Sequence, residues 1–95
     1  MIQSYLQEFI GKNIRVVESS YRDLQGKCLK VLDESKNMLL VSNGHRTIKI
    51  AKDRIRFAVE DDPEIINGSI LKMRPEERPK EIRKIRRQLG ERNEE

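Results

Sequence analysis

The spacing of hydrophobic and polar positions changes at residue 12. Before that point, the apolar side chains fall at i, i+3, i+4, i+7 and i+8, which is the spacing of one helical face. They are Ile2, Tyr5, Leu6, Phe9 and Ile10. Gly11 ends the pattern. We predict a short helix or arm over residues 1–11, whose apolar face either caps the end of the fold or docks onto a protein partner.

From residue 12 to residue 71, apolar and polar residues alternate in six short runs separated by turn-forming residues, as in strands joined by tight connections. In the central segment 24–41, two apolar runs flank the polar turn 33–37 and predict a hairpin. Asn43 and Gly44 predict a second hairpin through a type I′ turn. The predicted strands are residues 12–17, the two arms of 24–41, and residues 45–51, 54–60 and 64–71.

The last segment, residues 72–95, is helical and basic in character. Pro75 and Pro79 are four residues apart, so we predict an irregular turn followed by a helix that begins near Pro79. One apolar face of that helix carries Ile82, Ile85 and Leu89, and Gly90 can end it. Residues 91–95 are expected to fray.

These elements predict an all-β fold: a small six-stranded antiparallel barrel with short helices at the N- and C-termini. A length of 95 residues and an apolar fraction of 36% suffice for one modest core. We divide the chain into an N-terminal segment (1–11), the barrel (12–71) and a basic turn with the C-terminal helix (72–95).

Charge adds a preference for a polyanionic partner. Twenty Lys and Arg against 16 Asp and Glu give a net charge of +4, and the isoelectric point is about 9.4. Residues 72–95 carry nine basic and six acidic residues, whereas the rest carries 11 and 10. The basic excess is therefore concentrated in the C-terminal segment, where it suits a polyanionic partner without requiring one.

Other features restrict the class of protein. The single cysteine, Cys28, excludes an internal disulfide, and its place in a strand-like run predicts a small buried side chain. No apolar run approaches the ~20 residues of a membrane span, and no basic segment followed by an apolar one marks the N-terminus. We expect a cytoplasmic protein.

No catalytic arrangement is apparent in the sequence. His45, the only histidine, lies beside a predicted turn and has no evident nucleophile to assist. A metal site formed by Asp61, Asp62 and Glu64 is the weaker alternative to a solvated loop.

Basic residues give a better candidate site. In the predicted strands they alternate with core positions, and in the segment after residue 72 they cluster at a turn, where they can bind phosphate. The candidates in the predicted strands are Lys12, Arg15, Lys27, Lys30, Lys49, Lys52, Arg54 and Arg56. Those at the turn are Arg74, Arg78 and Lys80.

Four segments, taken in order, resemble protein component 1 of archaeal ribonuclease P. They are IGKNIRVVESS (10–20), LQGK (24–27), DESKNML (33–39) and GSILKMRPEER (68–78). Sm proteins are broadly similar around the central hairpin, but their glycine and asparagine are one residue closer than Gly26 and Asn37. That difference argues against an Sm-type ring.

The resemblance implies an Sm-like barrel that serves as a non-catalytic subunit of the ribonuclease that removes 5′ leaders from precursor tRNA. The RNA would carry the catalytic site and its Mg²⁺, and this chain would bind no cofactor. The chain would bind and stiffen the specificity domain of that RNA, paired with a zinc-binding protein subunit. The implied RNA-contact residues are Lys12, Arg15, Lys27, Arg74 and Arg78, and we add Lys80 from the same turn. The implied partner-binding residues are Tyr5, Leu6, Phe9, Ile82, Arg83 and Arg86.

Other functions fit the residues. A small-barrel protein-interaction module would bind acidic protein segments with its basic tail. Another RNA-associated barrel protein, of the ribosomal type, also fits. A stand-alone nuclease would depend on Asp61, Asp62 and Glu64.

Overall fold

The computed structural model describes residues 2–90, which form six strands, two short α-helices and four 3-10 helices. The α-helices are α1 (Ile2–Leu6) and α2 (Ile82–Gln88). The strands are β1 (Asn13–Ser19), β2 (Cys28–Glu34), β3 (Met38–Ser42), β4 (Thr47–Ala51), β5 (Ile55–Val59) and β6 (Ile66–Asn67). The 3-10 helices are Arg22–Leu24, Lys52–Arg54, Gly68–Leu71 and Pro75–Glu81.

All six strands belong to one antiparallel sheet with the order β4-β3-β2-β1-β5-β6. This confirms the predicted six-stranded antiparallel architecture with helices at both ends. The predicted barrel, however, is not closed by hydrogen bonds, because β4 and β6 remain the two ends of the sheet in the described part of the chain. Those ends approach each other through the 3-10 helices that follow them, Lys52–Arg54 and Gly68–Leu71, which pack together.

Two β-bulges bend the sheet and change which side chains face inward. The pairing of β1 with β5 shifts between Val16 and Glu18, and that of β2 with β3 shifts between Val31 and Asp33. An extra residue at such a point reverses the inward and outward alternation beyond it. In β2, Leu29 and Val31 are buried, but the next buried residue is Glu34.

The core lies on the concave side of the sheet and extends into both terminal helices. Every strand contributes to it, and so do Tyr5 and Phe9 from the N-terminal segment and Ile85 from α2. Phe9 meets Phe57 of β5 edge to face, with ring centroids 5.5 Å apart. The buried members of the apolar stripe, Ile2, Tyr5 and Phe9, thus cap the sheet, and α1 and α2 also contact each other. The helix is shorter than predicted, since α1 ends at Leu6, and Ile10 is 37% exposed.

Several local predictions differ from the structure. The turn after β3 has Gly44 and His45 as its central residues, one position later than predicted. Only Gly44, with φ of +97°, is in the left-handed region, as in a type II′ turn. Asn43 lies before the turn, and its side-chain oxygen accepts bonds from the backbone N–H groups of His45 and Arg46. Cys28, predicted to be buried, is exposed at the start of β2.

The last strand and the C-terminal helix also differ. Only Ile66 and Asn67 pair with β5, and the chain then coils into a 3-10 helix over Gly68–Leu71. The two prolines share the 3-10 helix Pro75–Glu81, and α2 begins at Ile82, three residues after the predicted start. The predicted fraying of residues 91–95 lies outside the described residues.

Candidate nucleic-acid interface

Three of the predicted RNA-contact residues lie along β1 and its neighbour β2. Arg15 is exposed in β1, paired with Cys28 on one side and Ala58 on the other. Lys27 is exposed just before β2, and its carbonyl accepts a bond from Val16 N–H at 2.9 Å. The structure therefore brings Arg15 and Lys27 to adjacent positions. Lys12 is half-buried, and its Nζ donates to Gln7 Oε1 at 2.9 Å.

The other three predicted RNA-contact residues flank or lie in the 3-10 helix Pro75–Glu81. Arg74 and Lys80 are exposed. Arg78 is buried, with 1% of its surface accessible, and its guanidinium stacks 4.5 Å from the centroid of the Phe9 ring. The prediction for Arg78 needs correction, because a group enclosed in this way is not accessible to RNA. Its role in this structure is internal.

Arg78 belongs to a buried ion network with Glu34 and Lys52, all three with side chains no more than 2% exposed. Lys52 Nζ lies 2.6 Å from Glu34 Oε2. Arg78 Nη1 pairs with the same carboxylate oxygen, and Arg78 Nη2 donates to the Gln7 carbonyl at 3.0 Å. One carboxylate therefore serves two cations from different segments of the chain.

Backbone carbonyls complete the environment of Lys52. Its Nζ donates to Leu71 O and Met73 O at 3.0 Å and to Lys36 O at 3.2 Å. Burial lowers the pKa of Lys52 from its usual 10.5, and the hydrogen bond and charge of Glu34 oppose that shift. Among the described residues, Glu34 Oε1 and Arg78 Nε are buried polar atoms without a partner. The network fixes the β2–β3 turn and the segment after α1 against three 3-10 helices, Lys52–Arg54, Gly68–Leu71 and Pro75–Glu81.

Sequence reasoning did not find this network. It placed Lys52 on an outward, phosphate-binding face, and the structure corrects that prediction because Lys52 is only 1% exposed and paired with Glu34. Lys52 continues the inward series of Ile48 and Ile50, so strict alternation carried past the end of β4 could have found it. Glu34 could not be found in this way. Alternation from Leu29 and Val31 points to Asp33, and the bulge that substitutes Glu34 has no marker in the sequence.

The predicted partner-binding residues separate into two groups. Tyr5 and Phe9 are 2% and 1% exposed, so they belong to the core and are not accessible to a partner in this structure. The Tyr5 hydroxyl accepts a bond from Asn67 N–H at 2.9 Å, and burial raises the pKa of Tyr5 above its usual 10.0. The other four are reachable: Leu6 and Ile82 are half-buried against the core, and Arg83 and Arg86 are exposed on α2.

The acidic loop after β5 binds the N-terminal helix. Ser4 Oγ donates to Asp62 Oδ2 at 2.6 Å, Gln7 Nε2 donates to the same oxygen at 3.2 Å, and Glu64 N–H donates to Asp62 Oδ1 at 2.9 Å. The Ser4 hydrogen bond is the main reason that the pKa of Asp62 lies below its usual 3.8. Within residues 2–90, no three histidine, cysteine, aspartate or glutamate side chains converge as a metal site requires. Asp62 is therefore a structural link between α1 and this loop.

One groove on the surface was not anticipated from the sequence. It lies between the loop after β1 and strand β4, has a volume of about 770 Å³, and is bordered by the basic residues Arg22, Lys27, Arg46 and Lys49. The sequence contained each of these residues, but only the fold brings the four together.

In the part of the chain that the structure describes, no helix is long and apolar enough to cross a membrane.

Comparisons with known proteins agree with the resemblance found in the sequence. The family model described as ribonuclease P/MRP, subunit p29, matches residues 5–81. Ribonuclease P protein component 1 of Thermoplasma acidophilum is 35% identical over 85 residues, covering 90% of this chain and 95% of that protein. The Methanosarcina barkeri protein of the same name is 34% identical over 93 residues, covering 84% of each chain.

A solved structure agrees with this assignment. Mth11, described as a homologue of the human RNase P protein Rpp29, is 34% identical and has a TM-score of 0.52, with 75% of this chain and 96% of that chain covered. The chain therefore belongs to the ribonuclease P/MRP subunit p29 family, the family of archaeal ribonuclease P protein component 1.

Proposed function

We propose that this ribonuclease P protein subunit acts by binding the RNA of the complex, and that it has no catalytic group of its own. The observation that carries the proposal is a set of exposed basic side chains without an ion-pair partner among the described residues. From the predicted set these are Arg15, Lys27, Arg74 and Lys80. Free cations of this kind can replace the counterions of RNA phosphates.

In this proposal the RNA carries the catalytic site and the Mg²⁺ that it requires, and the chain stiffens the specificity domain. The rigidity of the fold supports that role. Glu34 and its two cations lock the β2–β3 turn to the C-terminal segment, so Arg74 and Lys80 are held on a fixed support. Preorganised contacts of this kind reduce the entropy lost on binding.

A partner subunit is a further part of the proposal. Leu6 and Ile82 leave part of their apolar surface in solvent beside Arg83 and Arg86, and α1 and α2 contact each other. A surface with an apolar centre and a basic border suits an acidic partner protein. We propose that the zinc-binding subunit of ribonuclease P docks here, and that the bent sheet is the core of an Sm-like barrel.

The test is reconstitution of ribonuclease P from its RNA and protein subunits, with and without this chain, at limiting Mg²⁺. We expect this chain to protect part of the specificity domain from nuclease and to increase precursor-tRNA cleavage. An unchanged footprint together with unchanged activity would contradict the proposal. Tighter binding of the isolated chain to an acidic peptide than to structured RNA would instead favour the interaction-module alternative.

A further inference from the structure

The groove between the loop after β1 and strand β4, called here the β4 groove, has the features of a nucleotide site. Its volume of about 770 Å³ is within the range of ~300–1,000 Å³ for pockets that bind small ligands. Leu24, Leu29 and Ile50 form a buried apolar floor, and half-buried Ile48 extends that floor toward the solvent. The floor can therefore accept the flat, apolar face of a base.

Tyr21 forms the aromatic wall of the β4 groove. Its hydroxyl accepts a bond from Ala51 N–H at 3.1 Å, which fixes the ring beside the end of β4. The guanidinium carbon of Arg54 lies 6.0 Å from the centroid of the ring. An aromatic ring held in place by both contacts is a preformed stacking surface, since little side-chain freedom remains to be lost on binding.

The edge of β4 supplies hydrogen-bonding groups to the same groove. Because β4 is an end strand, the backbone groups that do not face β3 have no strand partner. Lys52 N–H bonds to Asn37 before β3, whereas Ala51 N–H points away toward Tyr21. By alternation, the backbone N–H and carbonyl of Lys49 and Thr47 also point to the free edge, and of these two residues Lys49 lines the β4 groove. These groups can bond the polar edge of a base.

The rim of the β4 groove is strongly basic. Arg22, Lys27, Arg46 and Lys49 are exposed there, against the single carboxylate of Asp23. None of the four has an ion-pair partner within residues 2–90. A base lying on the floor would therefore have its phosphates among several unpaired cations.

The same edge is partly occupied, which weakens it as a template for an added peptide strand. Of the three β4 residues with outward-facing N–H groups, Ala51 is already bonded to Tyr21, so only Thr47 and Lys49 keep free N–H groups for a new strand. The partly occupied edge, the aromatic wall and the basic rim together favour RNA over a peptide.

We propose that the β4 groove binds one unpaired nucleotide of the ribonuclease P RNA, with its base against Tyr21 and Ile48 and its phosphates on the basic rim. This inference rests on the proposed RNA-binding function and adds the place and the class of ligand: a nucleotide outside the double-stranded regions, whose base is free to stack.

Cys28 provides a probe, because it is the only cysteine of the chain, is exposed and lines the β4 groove. It also lines a second groove beside Arg15, so the probe is used in an Arg15→Gln background, in which RNA bound at Arg15 does not cover the thiol. When saturating ribonuclease P RNA is bound, alkylation of Cys28 by iodoacetamide should be slower by about fivefold or more, because a stacked base would cover the groove. An unchanged rate with RNA bound would overturn the groove assignment but leave the RNA-binding function intact. Protection by the partner subunit in the absence of RNA would also overturn the assignment, in favour of a protein ligand.

Charge reversal at the rim tests the same assignment by affinity. Arg46→Glu with Lys49→Glu should weaken RNA binding by about tenfold or more, and Lys84→Glu with Arg87→Glu is the control with the same change in charge on α2. Equal losses in the two double variants, with the wild type binding normally, would contradict the β4 groove. If the wild type itself binds no RNA, the proposed function fails.

Substitutions of Tyr21 test the contribution of base stacking separately from that of charge. Tyr21→Ala should weaken RNA binding by about tenfold, whereas Tyr21→Phe, which keeps the ring, should stay within about threefold of the wild type. Melting temperatures identify any loss of fold in Tyr21→Ala, and the rim variants remain decisive in that case because their side chains are exposed. Equal binding by a folded Tyr21→Ala variant and the wild type would argue against stacking in the groove.

Discussion

Glu34 links three segments of the chain that are far apart in sequence. Its carboxylate meets Lys52 from the connection after β4 and Arg78 from the C-terminal segment. Lys52 in turn binds the carbonyls of Lys36, Leu71 and Met73. Two buried cations with one carboxylate are tolerable only while that carboxylate is present, because an unpaired charge in a low-dielectric interior is costly.

Glu34→Gln should therefore be strongly destabilising, although it preserves the shape of the side chain. We expect a loss of about 3–5 kcal/mol in the free energy of unfolding, measured by urea denaturation at pH 7. Glu18→Gln is the matched control, since Glu18 and Arg56 form an exposed ion pair at 3.3 Å and such pairs contribute about 1 kcal/mol or less. Equal losses in the two variants would show that the buried network does not stabilise the fold.

Asp62 should make the attachment of α1 dependent on pH. Its pKa in the folded chain is lowered from 3.8, chiefly by the bond from Ser4, so its ionised form favours the folded state. That contribution is present above pH 3.8 and is lost as the pH falls through the folded pKa. Asp62→Asn should be less stable than the wild type at pH 7, and the difference should shrink in strong acid.

Unfolding curves between pH 7 and pH 2 measure this effect. Asp61→Asn is the control, because the exposed Asp61 side chain makes no hydrogen bond to α1 within the described residues. A stability difference between Asp62→Asn and the wild type that stayed constant over the whole pH range would contradict the argument.

At the scale of elements, alternation predicts strands well wherever one face is buried and no residue is inserted. The strand predicted over residues 54–60 is β5, and the hairpin 24–41 is the β2–β3 pair. The strand predicted over residues 12–17 is β1, which continues through its bulge to Ser19. Alternation fails at the bulge in β2, since Asp33 and Glu34 are equally polar and only tertiary packing selects the inward one. It fails again at residues 68–71, where a short apolar run fits a strand and a 3-10 helix equally well.

The predicted site shows the same limits. Arg15, Lys27, Arg74 and Lys80 are exposed, as the pattern of apolar and polar residues in the sequence indicates. Burial of Arg78 does not follow from the pattern, because it depends on a carboxylate 44 residues away in the chain. A site formed by segments far apart in the chain, such as the β4 groove, also cannot be predicted from the sequence before the topology is known.

Contact between two 3-10 helices can be tested at Gly68. A Cβ atom added to this residue would lie 2.0 Å from Lys52 O and 2.9 Å from Lys52 C, both backbone atoms that cannot move aside cheaply. Gly68→Ala should destabilise the fold by about 3 kcal/mol or more, measured by urea unfolding. Gly26→Ala is the control: its added Cβ meets open space, so only the positive φ of +83° contributes, at about 1 kcal/mol.

The opposite ranking of these two glycines would contradict the close packing of Lys52–Arg54 on Gly68–Leu71. That packing matters because it brings the two ends of the sheet together where the strands themselves do not pair. If it were loose, the buried lysine would lose the carbonyls of Leu71 and Met73 as well.

Considered as a whole, the molecule combines a rigid interior with cations spread over separate surfaces. Arg15 lies on the sheet beside Lys27, which also belongs to the rim of the β4 groove. Arg74 precedes the 3-10 helix Pro75–Glu81, and Lys80 lies in that helix. Several separated phosphate contacts on one stiff body suit a folded RNA, whose backbone can reach more than one surface at once. The number of such contacts is measurable, because each one releases counterions.

The salt dependence of RNA binding should therefore fall in steps as cations are removed. Replacing Arg15 and Arg74 together by Gln should reduce the slope of log affinity against log salt concentration by about 1.4–1.8, which corresponds to two lost phosphate contacts. Lys72→Gln is the control, because Lys72 is already paired with Asp53 at 3.3 Å and should alter the slope less. Filter-binding measurements at salt concentrations from about 50 to about 300 mM give the slopes of the double variant and of the control. Neither Arg15 nor Arg74 lines the β4 groove, so an unchanged slope would exclude them as RNA contacts without affecting the nucleotide site.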